Sequence, residues 1–403
     1  MSAKDYVIEV EPGVAGIAPA TWDALLAAQD APAAETPFMR HAYLSALESS
    51  GSVGGTTGWD PITLLVRDSH AAKRGGAAPI IGVAPAYLKM HSYGEYVFDW
   101  AWADAYRRYG QEYYPKLIVA VPFTPVPGAR LVASDDATRD ALVRGLQALA
   151  LQLEVSSVHL LFGTEADHAA TDRAGWMTRH GVQFHWHNRA PEPYADFDDF
   201  LHGLQRDKRK KIAQERRYVR EAGVTFETVE GAAIGTAEWD FFYACYATTY
   251  AEHHSTPYLA REFFASMQAH MPQGWVLFIA SRGDRRIACA LVAIDRKTRA
   301  AWGRYWGALE SVSCLHFEAC YYQPLQWCIE QRFERFEGGA QGEHKMARGL
   351  LPQRTRSSHW IADPRFAQAI GHHLEQEAGA IDTYLDELDD RSPFARQAPP
   401  PDA

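Results

Sequence analysis

The sequence predicts an α/β protein built from two domains of similar size. Its 403 residues are long for one hydrophobic core and suit two domains of about 200 residues each. Some segments place apolar residues at helical spacing, whereas others are short apolar or alternating runs typical of strands. The order of the predicted elements in the first half recurs in the second half, which favours an internal duplication.

The first half is predicted to start with two helices and to continue with three strands. Pro19 and Pro37 each open a helix, because proline is favoured in a first helical turn. A short helix should follow Asp104, whose side chain is a candidate N-cap. The predicted strands of this half lie at 61–67, 79–88, 95–100, 116–121, 157–162 and 182–186, with a helix at 136–153.

Two prolines in the segment 189–193 interrupt these patterns and predict a domain boundary. We therefore expect a first domain at 1–190 and a second at 191–390. The proline-containing tail at 391–403 is expected to be disordered.

The second half is predicted to open with a basic helix at 197–222 and then to repeat the first half. Helices are expected at 238–250, 260–269 and 313–331, with strands at 275–281, 286–294, 301–306 and 332–337. Ile81 to Trp100 spans the same 19 positions as Ile287 to Trp306, and Tyr113-Tyr114 is matched by Tyr321-Tyr322. The alternative is two unrelated α/β domains that both use aromatic strands.

Composition excludes several classes of protein. A net charge of −10 argues against a general affinity for polyanions, so phosphate binding would need a local basic patch. The sequence lacks a run of 18 apolar residues and a signal-peptide pattern, so we expect a cytoplasmic protein without membrane insertion. Five cysteines without a C-x-x-C pair argue against a disulfide scaffold and against a metal centre.

Several unusual stretches resemble one family. They are Phe98–Trp102, Tyr113–Lys116, Val121–Thr124, Gly303–Gly307, Leu315–Glu318 and Glu337–Lys345 followed by Arg348-Gly349. Together they resemble the bacterial predicted N-acyltransferases related to the Fem-type (FemAB-like) peptidyl transferases of cell-wall synthesis, over residues 36–390. The resemblance implies tandem GNAT-like domains, each with a mixed central sheet flanked by helices, and acyl transfer to an amine.

The resemblance leaves the acyl donor open between acyl-CoA and aminoacyl-tRNA, and it implies no further cofactor. The acceptor would be the amine of a small molecule or of a peptidoglycan precursor. Arg335–Ala340 has the letters of a CoA-binding loop but follows a strand instead of opening a helix. The long coiled-coil arm of some Fem proteins is also absent from the sequence.

The densest chemical cluster is the glycine-rich segment 337–349. N-acyl transfer needs a base for the amine proton and a donor for the oxyanion. Glu343, His344 or the nearby Glu318 could supply the base, and Lys345 and Arg348 could stabilise negative charge. Lys345 matches the lysine that, in Fem-type proteins, is thought to support the reacting group. The alternatives are a turn with solvated charges and a Glu318 paired with Arg304 or Arg348.

A second group of residues is predicted to bind substrate because aromatic and charged side chains cluster around predicted strand ends. In the first half they are Asp99, Trp102, Tyr113, Tyr114 and Lys116, and in the second Arg304, Tyr305, Tyr321, Tyr322, Gln341 and His359. The alternative is that these aromatic residues belong to the core.

The basic helix is the predicted phosphate site. Eight cations against Asp207 and Glu215 give the segment 206–220 a net charge of +6. The residues proposed to bind phosphate are Arg206, Lys208, Arg209, Lys210, Lys211 and Arg216. The alternative is a merely solvated face.

Three functions remain open from the sequence. The first is an N-acyltransferase that works by direct attack of the amine, since no activated nucleophile is visible. The second is a Fem-like transferase that uses aminoacyl-tRNA, with tRNA as a partner. The third is a non-catalytic protein that binds a peptidoglycan fragment or an amine. The oligomeric state is not predicted.

Overall fold

The computed structural model describes residues 6–29, 36–69, 78–340 and 342–395. The chain divides into two compact units. Unit 1 comprises Met1–Gly181, Tyr258–His270 and Arg354–Ile381, and unit 2 comprises Val182–Pro257, Met271–Gln353 and Asp382–Ala403. This division falls after Gly181, whereas the sequence placed the boundary after residue 190, and each unit also takes in later segments of the chain.

The described residues form β-strands throughout both halves. They are β1 (Tyr6–Glu11), β2 (Trp59–Asp68), β3 (Ile80–Lys89), β4 (Lys116–Val119), β5 (Val132–Ala133), β6 (Ser157–Leu161), β7 (Met177–His187), β8 (Val224–Glu230), β9 (Trp275–Arg282), β10 (Arg285–Asp295), β11 (Ala300–Ala308), β12 (Arg335–Glu337) and β13 (Leu351–Ile361).

The α-helices alternate with these strands. They are α1 (Pro19–Ala27), α2 (His41–Ser49), α3 (Trp100–Arg108), α4 (Asp136–Gln152), α5 (Glu165–Arg173), α6 (Phe197–His202), α7 (Arg206–Glu221), α8 (Thr236–Glu252), α9 (Arg261–His270), α10 (Leu315–Phe317), α11 (Gln323–Glu330) and α12 (Pro364–Asp390). A π-helical turn, Glu318–Tyr322, joins α10 to α11, and a 3₁₀ turn spans Glu343–Arg348.

Each unit contains a mixed sheet with one parallel strand pair at its centre. In unit 1 the order is β1-β2-β3-β4-β6-β13, and in unit 2 it is β7-β12-β11-β10-β9-β8. The parallel pairs are β4 with β6 and β11 with β12, because a helix crosses over between the members of each pair. Apart from α3 and the short β5 in the first half, the order strand, two helices, three strands, helix, strand occurs twice along the chain. The predicted tandem GNAT-like α/β fold is confirmed.

Apolar side chains from helices cover these sheets. In unit 1, Leu142 and Leu146 of α4 pack with Leu64 of β2 in one buried cluster. In unit 2, Leu325 and Ile329 of α11 belong to a larger cluster. None of the helices in the described residues is both long enough and apolar enough to cross a membrane.

The predicted strand 95–100 does not form. Gly94 and Tyr96 have φ angles of 81° and 62°, which interrupt an extended chain, and Trp100 begins α3. The true counterpart of β11 is β4, so the 19-position match between Trp100 and Trp306 is not structural. Tyr113 likewise precedes a strand, whereas Tyr321 lies in a helical segment. Asp104 lies inside α3 and pairs with Arg108 instead of capping the helix.

Two further predictions, for the basic helix and for the C-terminal tail, are wrong in part. The predicted helix 197–222 is two helices, because the chain breaks at 203–205. The tail is ordered as far as Ala395, since Phe394 forms a β-bridge with Leu204 and Gln205 Nε2 donates to Ser392 O at 2.8 Å. Residues 396–403 lie outside the described residues.

We expect Gly307→Ala to destabilise unit 2. A Cβ at Gly307 of β11 would lie 1.8 Å from the backbone oxygen of Cys245 in α8, and backbone cannot move as a side-chain tip can. Overpacking of this kind costs about 1–3 kcal/mol or more. Urea unfolding checks the effect. The matched control is Gly379→Ala in α12, where nothing lies within 4 Å and helix propensity predicts no loss. Equal stabilities of the two variants would contradict the prediction.

Candidate active site

A cavity opens in unit 2 where two parallel strands separate. β11 and β12 pair from Ala300–Arg335 to Trp302–Glu337, and the pairing ends there. Beyond that point lies a cavity of about 180 Å³, lined by Ala290, Leu291, Val292, Gly303, Arg304, Tyr305, Trp306, His316, Cys320, Tyr321, Gly338 and Gly339. A β-bulge between Leu291 and Val292 lies opposite this stretch of β11. The cavity therefore lies between the end of the β11–β12 pairing and the bulged stretch of β10.

Two glycines form the turn on the β12 side of the cavity. A Cβ at Gly338 would lie 2.6 Å from Leu350 Cδ2 and 3.3 Å from Lys345 Cδ. Gly339 has a φ of 91°, which residues with a side chain rarely adopt. The turn therefore keeps room for Lys345 behind it.

Lys345 is the buried cation of this site. It lies in the 3₁₀ turn, is 3% exposed, and donates from Nζ to Gly339 O at 2.9 Å. It forms no ion pair with any described residue, and burial lowers its pKa to about 8. The ammonium therefore keeps hydrogen-bonding capacity for a ligand.

A tyrosine and two histidines lie beside the lysine. The Tyr321 hydroxyl is 3.2 Å from His344 Nε2, and the Tyr321 ring is 5.7 Å from the His316 ring. Burial lowers the pKa of His316 to about 4 and lowers that of His344. Both imidazoles are therefore neutral at pH 7, so His344 can accept a proton.

Arg348 is bound inside the protein and does not reach out as an isolated cation. Its Nη2 donates to both carboxylate oxygens of Glu215 at 3.0 and 2.9 Å, and its guanidinium stacks 3.5 Å from the Phe317 ring centroid. The Tyr322 hydroxyl donates to the same carboxylate. The positive charge of Arg348 is therefore already neutralised by the buried Glu215 carboxylate, which argues against the predicted role of Arg348 in stabilising negative charge on the substrate.

Glu318 pairs with a residue that the sequence interpretation did not consider. Its Oε1 accepts from Arg216 Nε at 3.1 Å and from Gln323 Nε2 at 2.7 Å, whereas Oε2 has no partner. Neither Arg304 nor Arg348 is its partner. The geometry therefore supports the alternative in which Glu318 forms a structural ion pair. Its partner is Arg216 and not one of the two arginines considered from the sequence.

Glu343 lies away from the cavity. It is exposed, and its carboxylate accepts from Arg391 Nη1 at 2.7 Å and from the Tyr384 hydroxyl at 3.3 Å. Arg304 and Tyr305 do line the cavity, and Arg304 Nη2 donates to the Tyr305 hydroxyl at 3.2 Å. Gln341 lies outside the described residues.

The glycine-rich segment identified from the sequence includes Glu337, but the sequence interpretation gave this carboxylate no individual role. It ends β12 next to Gly338 and is 5% exposed, and its Oε2 has no hydrogen-bond partner. Burial raises its pKa to about 7 despite Arg335, whose Nε lies 3.1 Å from Oε1. A carboxylate directly before two glycines was the signal that could have found it.

The five predicted binding residues of the first half meet in one mostly buried cluster. His359, which was predicted with the second half but belongs to unit 1, joins them there. Lys116 Nζ donates to Glu95 Oε2 and Ser92 Oγ, each at 2.8 Å, and to Asp99. The cluster continues through Tyr113, Tyr114, Trp102, His159 and His359, with the two histidine Nδ1 atoms 2.7 Å apart. Burial alone would raise the pKa of Asp99, but Lys116 outweighs it and holds the pKa at about 2.

Most of this cluster is buried, although His359 lines a surface cavity of about 740 Å³ and Tyr114 is half-buried. Lys116 is fully buried, and Asp99, Trp102 and Tyr113 are each at most 4% exposed. The end of β6 is also covered, because Gly128 N donates to Phe162 O and Arg130 Nε donates to Leu161 O, both at 2.9 Å. The cluster therefore has the geometry of an interior polar network, and substrate contact by these residues stays a prediction.

The predicted phosphate-binding residues divide into two groups on α7. Arg216 faces inward to Glu318, Arg209 donates to His202 O, and Lys208 pairs with Asp207. Arg206, Lys210 and Lys211 are exposed and have no partner among the described residues. These three cations are available to an anion.

A metal centre was not expected, and the described residues hold no cluster of three or more His, Cys, Asp or Glu side chains suited to a metal ion.

We expect Glu337→Gln to stabilise the protein at pH 8. Because the folded-state pKa is raised to about 7 from 4.5, ionisation of Glu337 opposes folding as pH rises above 4.5. The neutral amide should raise the free energy of unfolding by about 1–3 kcal/mol at pH 8 and by less at pH 5. Urea unfolding at both pH values measures the difference. A variant that is no more stable than the wild type at pH 8 would contradict this.

Known proteins give the chain a family and a fold. Among solved structures, a conserved protein of unknown function from Bacteroides thetaiotaomicron has 10% identity and a TM-score of 0.50 and covers 88% of this chain and 99% of its own. L-PGS from Bacillus licheniformis has 10% identity and a TM-score of 0.44, with 72% and 86% covered. A tandem GNAT protein from the clavulanic acid biosynthesis pathway has 11% identity and a TM-score of 0.43, with 89% and 99% covered.

The search of curated proteins finds no match. The family comparison matches residues 13–396, nearly the whole chain, to a family described by peptidoglycan biosynthesis and recognition. The predicted relationship is confirmed: this chain belongs to the FemAB-like family.

Proposed function

We propose that unit 2 catalyses the transfer of an acyl or aminoacyl group to an amine in peptidoglycan biosynthesis. The observation that carries this proposal is the cavity at the separation of β11 and β12, where Lys345 Nζ donates to the backbone oxygen of the lining residue Gly339. Membership of the FemAB-like family supports the pathway.

The reaction is a direct attack on a carbonyl in this cavity. The acceptor nitrogen forms a bond to the acyl carbon, and the bond from that carbon to the donor sulfur or oxygen breaks. Lys345 stabilises the tetrahedral oxyanion through a charge-assisted hydrogen bond. The amine proton passes to the neutral His344, and the Tyr321 hydroxyl, kept protonated by burial, protonates the leaving group. The proton on His344 then returns to Tyr321 across their 3.2 Å hydrogen bond, so both side chains end in their starting states.

Aminoacyl-tRNA is the donor that two observations favour over acyl-CoA. The segment 309–314, which leads from β11 into α10, contains no glycine. A loop that binds the pyrophosphate of CoA uses glycines so that its backbone N–H groups can come close to the phosphates, and this segment lacks them. Arg206, Lys210 and Lys211 present free positive charge on α7. A phosphate backbone is the natural partner of such a surface.

We expect Lys345→Ala to lower kcat by roughly tenfold or more, the scale of one lost oxyanion donor. The ammonium of Lys345 is lost as pH rises through about 8, whereas arginine stays charged. The ratio of wild-type to Lys345→Arg turnover should therefore fall as pH rises through 8. Steady-state kinetics with charged tRNA and with acyl-CoA give both quantities.

Circular dichroism tests whether the lysine variants are folded. Wild-type turnover in folded Lys345→Ala would remove Lys345 from the mechanism. Ligand binding without turnover of either donor would instead support the non-catalytic alternative.

We expect the triple variant Arg206→Gln, Lys210→Gln, Lys211→Gln to bind charged tRNA more weakly and with a shallower salt dependence. Each lost phosphate contact should reduce the slope of log affinity against log salt by about 0.7–0.9. Fluorescence anisotropy at several salt concentrations measures the slope. The control is Arg285→Gln, an exposed arginine that pairs with Glu310. An unchanged slope in the triple variant, or binding of acyl-CoA without binding of tRNA, would reject the tRNA donor.

A further inference from the structure

Two consecutive residues of α7 bind two different segments, the 3₁₀ turn that carries Lys345 and the π-helical turn that lines the cavity. Glu215 binds Arg348 through both carboxylate oxygens, at 3.0 and 2.9 Å, and Arg216 binds Glu318 at 3.1 Å. The charges are reversed between the two contacts, so each pair is specific for its own partner. Both contacts join segments more than 100 positions apart in the chain.

The first contact fixes the turn that carries Lys345. Arg348 ends the 3₁₀ turn Glu343–Arg348, and its Nη1 donates to His344 O at 2.7 Å within that turn. Glu215 is buried at 7% exposure, and Arg348 is the only cation among the described residues with which it forms an ion pair. The position of the turn relative to α7 is therefore set by this carboxylate.

The second contact fixes the π-helical turn. Glu318 is the first residue of that turn, and Cys320 and Tyr321 within it line the cavity. Arg216 also donates to Gln326 Oε1 at 3.0 Å and stacks 4.7 Å from the Phe197 ring centroid. The arginine is thus held in one orientation by three neighbours.

Net stability does not account for these pairs. Buried ion pairs lose much of their Coulombic energy to desolvation, so apolar residues of the same volume stabilise as well or better. The directional hydrogen bonds of these ion pairs fix the distances between segments, which apolar contacts do not. A catalytic cavity needs that precision, because small displacements of reacting groups cost large factors in rate.

We propose that Glu215 and Arg216 are positioning residues that set the turn carrying Lys345 and the π-helical wall of the acyl-transfer cavity, and that Glu318 serves as the anchor for Arg216 and not as the general base. The catalytic part of this inference rests on the proposed function. The structural part concerns only where the cavity walls lie.

The experiment compares Glu215→Gln, Arg216→Gln and the charge exchange Arg216→Glu with Glu318→Arg. Its matched control is Arg217→Gln on the same helix, since Arg217 is exposed and lies 3.6 Å from Glu221 in a surface pair worth little. All variants are full-length chains whose folding is checked by circular dichroism and urea unfolding.

One readout does not depend on activity. Cys320 lines the cavity, so its alkylation by iodoacetamide, followed for each cysteine by mass spectrometry, reports displacement of the π-helical turn. We expect Arg216→Gln to speed Cys320 alkylation several-fold, the charge exchange to return it toward the wild-type rate, and Arg217→Gln to leave it unchanged.

The second readout is turnover with the donor that the wild type uses. We expect Glu215→Gln and Arg216→Gln to lower kcat by roughly tenfold to a hundredfold with little change in KM, because the reacting groups are displaced while binding contacts remain. The charge exchange should recover most of the kcat that Arg216→Gln loses, which a general base at Glu318 would not allow.

The outcomes separate the two proposals. Failure of the wild type to transfer any acyl group overturns the proposed function, while the alkylation rates still decide the structural inference. Alkylation and turnover equal to those of Arg217→Gln overturn the inference. Loss of activity in the charge exchange, with a wild-type alkylation rate, shows that Glu318 acts chemically and overturns its assignment as an anchor.

Discussion

The separation of β11 from β12 is the constraint on which the rest of unit 2 depends. If the two parallel strands stayed paired, their backbone N–H and C=O groups would bond to each other and leave no space between the strands. Here the pairing stops after Trp302 and Glu337, and Gly338–Gly339 turn the chain away. The close approach of α8 at Gly307 and the bulge in β10 hold the other side of the opening.

The charged residues around this opening differ in how their charges are compensated. Arg348 and Glu318 each have an oppositely charged partner on α7, so their charges are neutralised within the protein. Lys345 has only a backbone carbonyl as a hydrogen-bond partner among the described residues. Buried groups that lack a counter-charge are the ones whose pKa values shift most, and such groups are typical of functional sites.

The two units use the same order of elements for different purposes. In unit 1, Lys116, Glu95 and Asp99 satisfy one another inside the protein, and Gly128 and Arg130 cover the end of β6. In unit 2 the corresponding strand end adjoins the cavity. Unit 1 thus covers this strand end with its own polar groups and has its cavities beside α12, whereas unit 2 has a cavity at the strand end itself.

The sequence by itself determined the α/β class, the tandem organisation, the FemAB-like relationship and the glycine-rich segment around Lys345. These depend on periodicity and local motifs, which neighbouring residues encode. Only the tertiary structure decided the partners of Glu318 and Arg348, because those contacts join positions 102 and 133 residues apart. It also decided that residues 95–99 form a loop, since buried Lys116 binds Glu95 and Asp99 there, whereas the aromatic pattern alone indicated a strand.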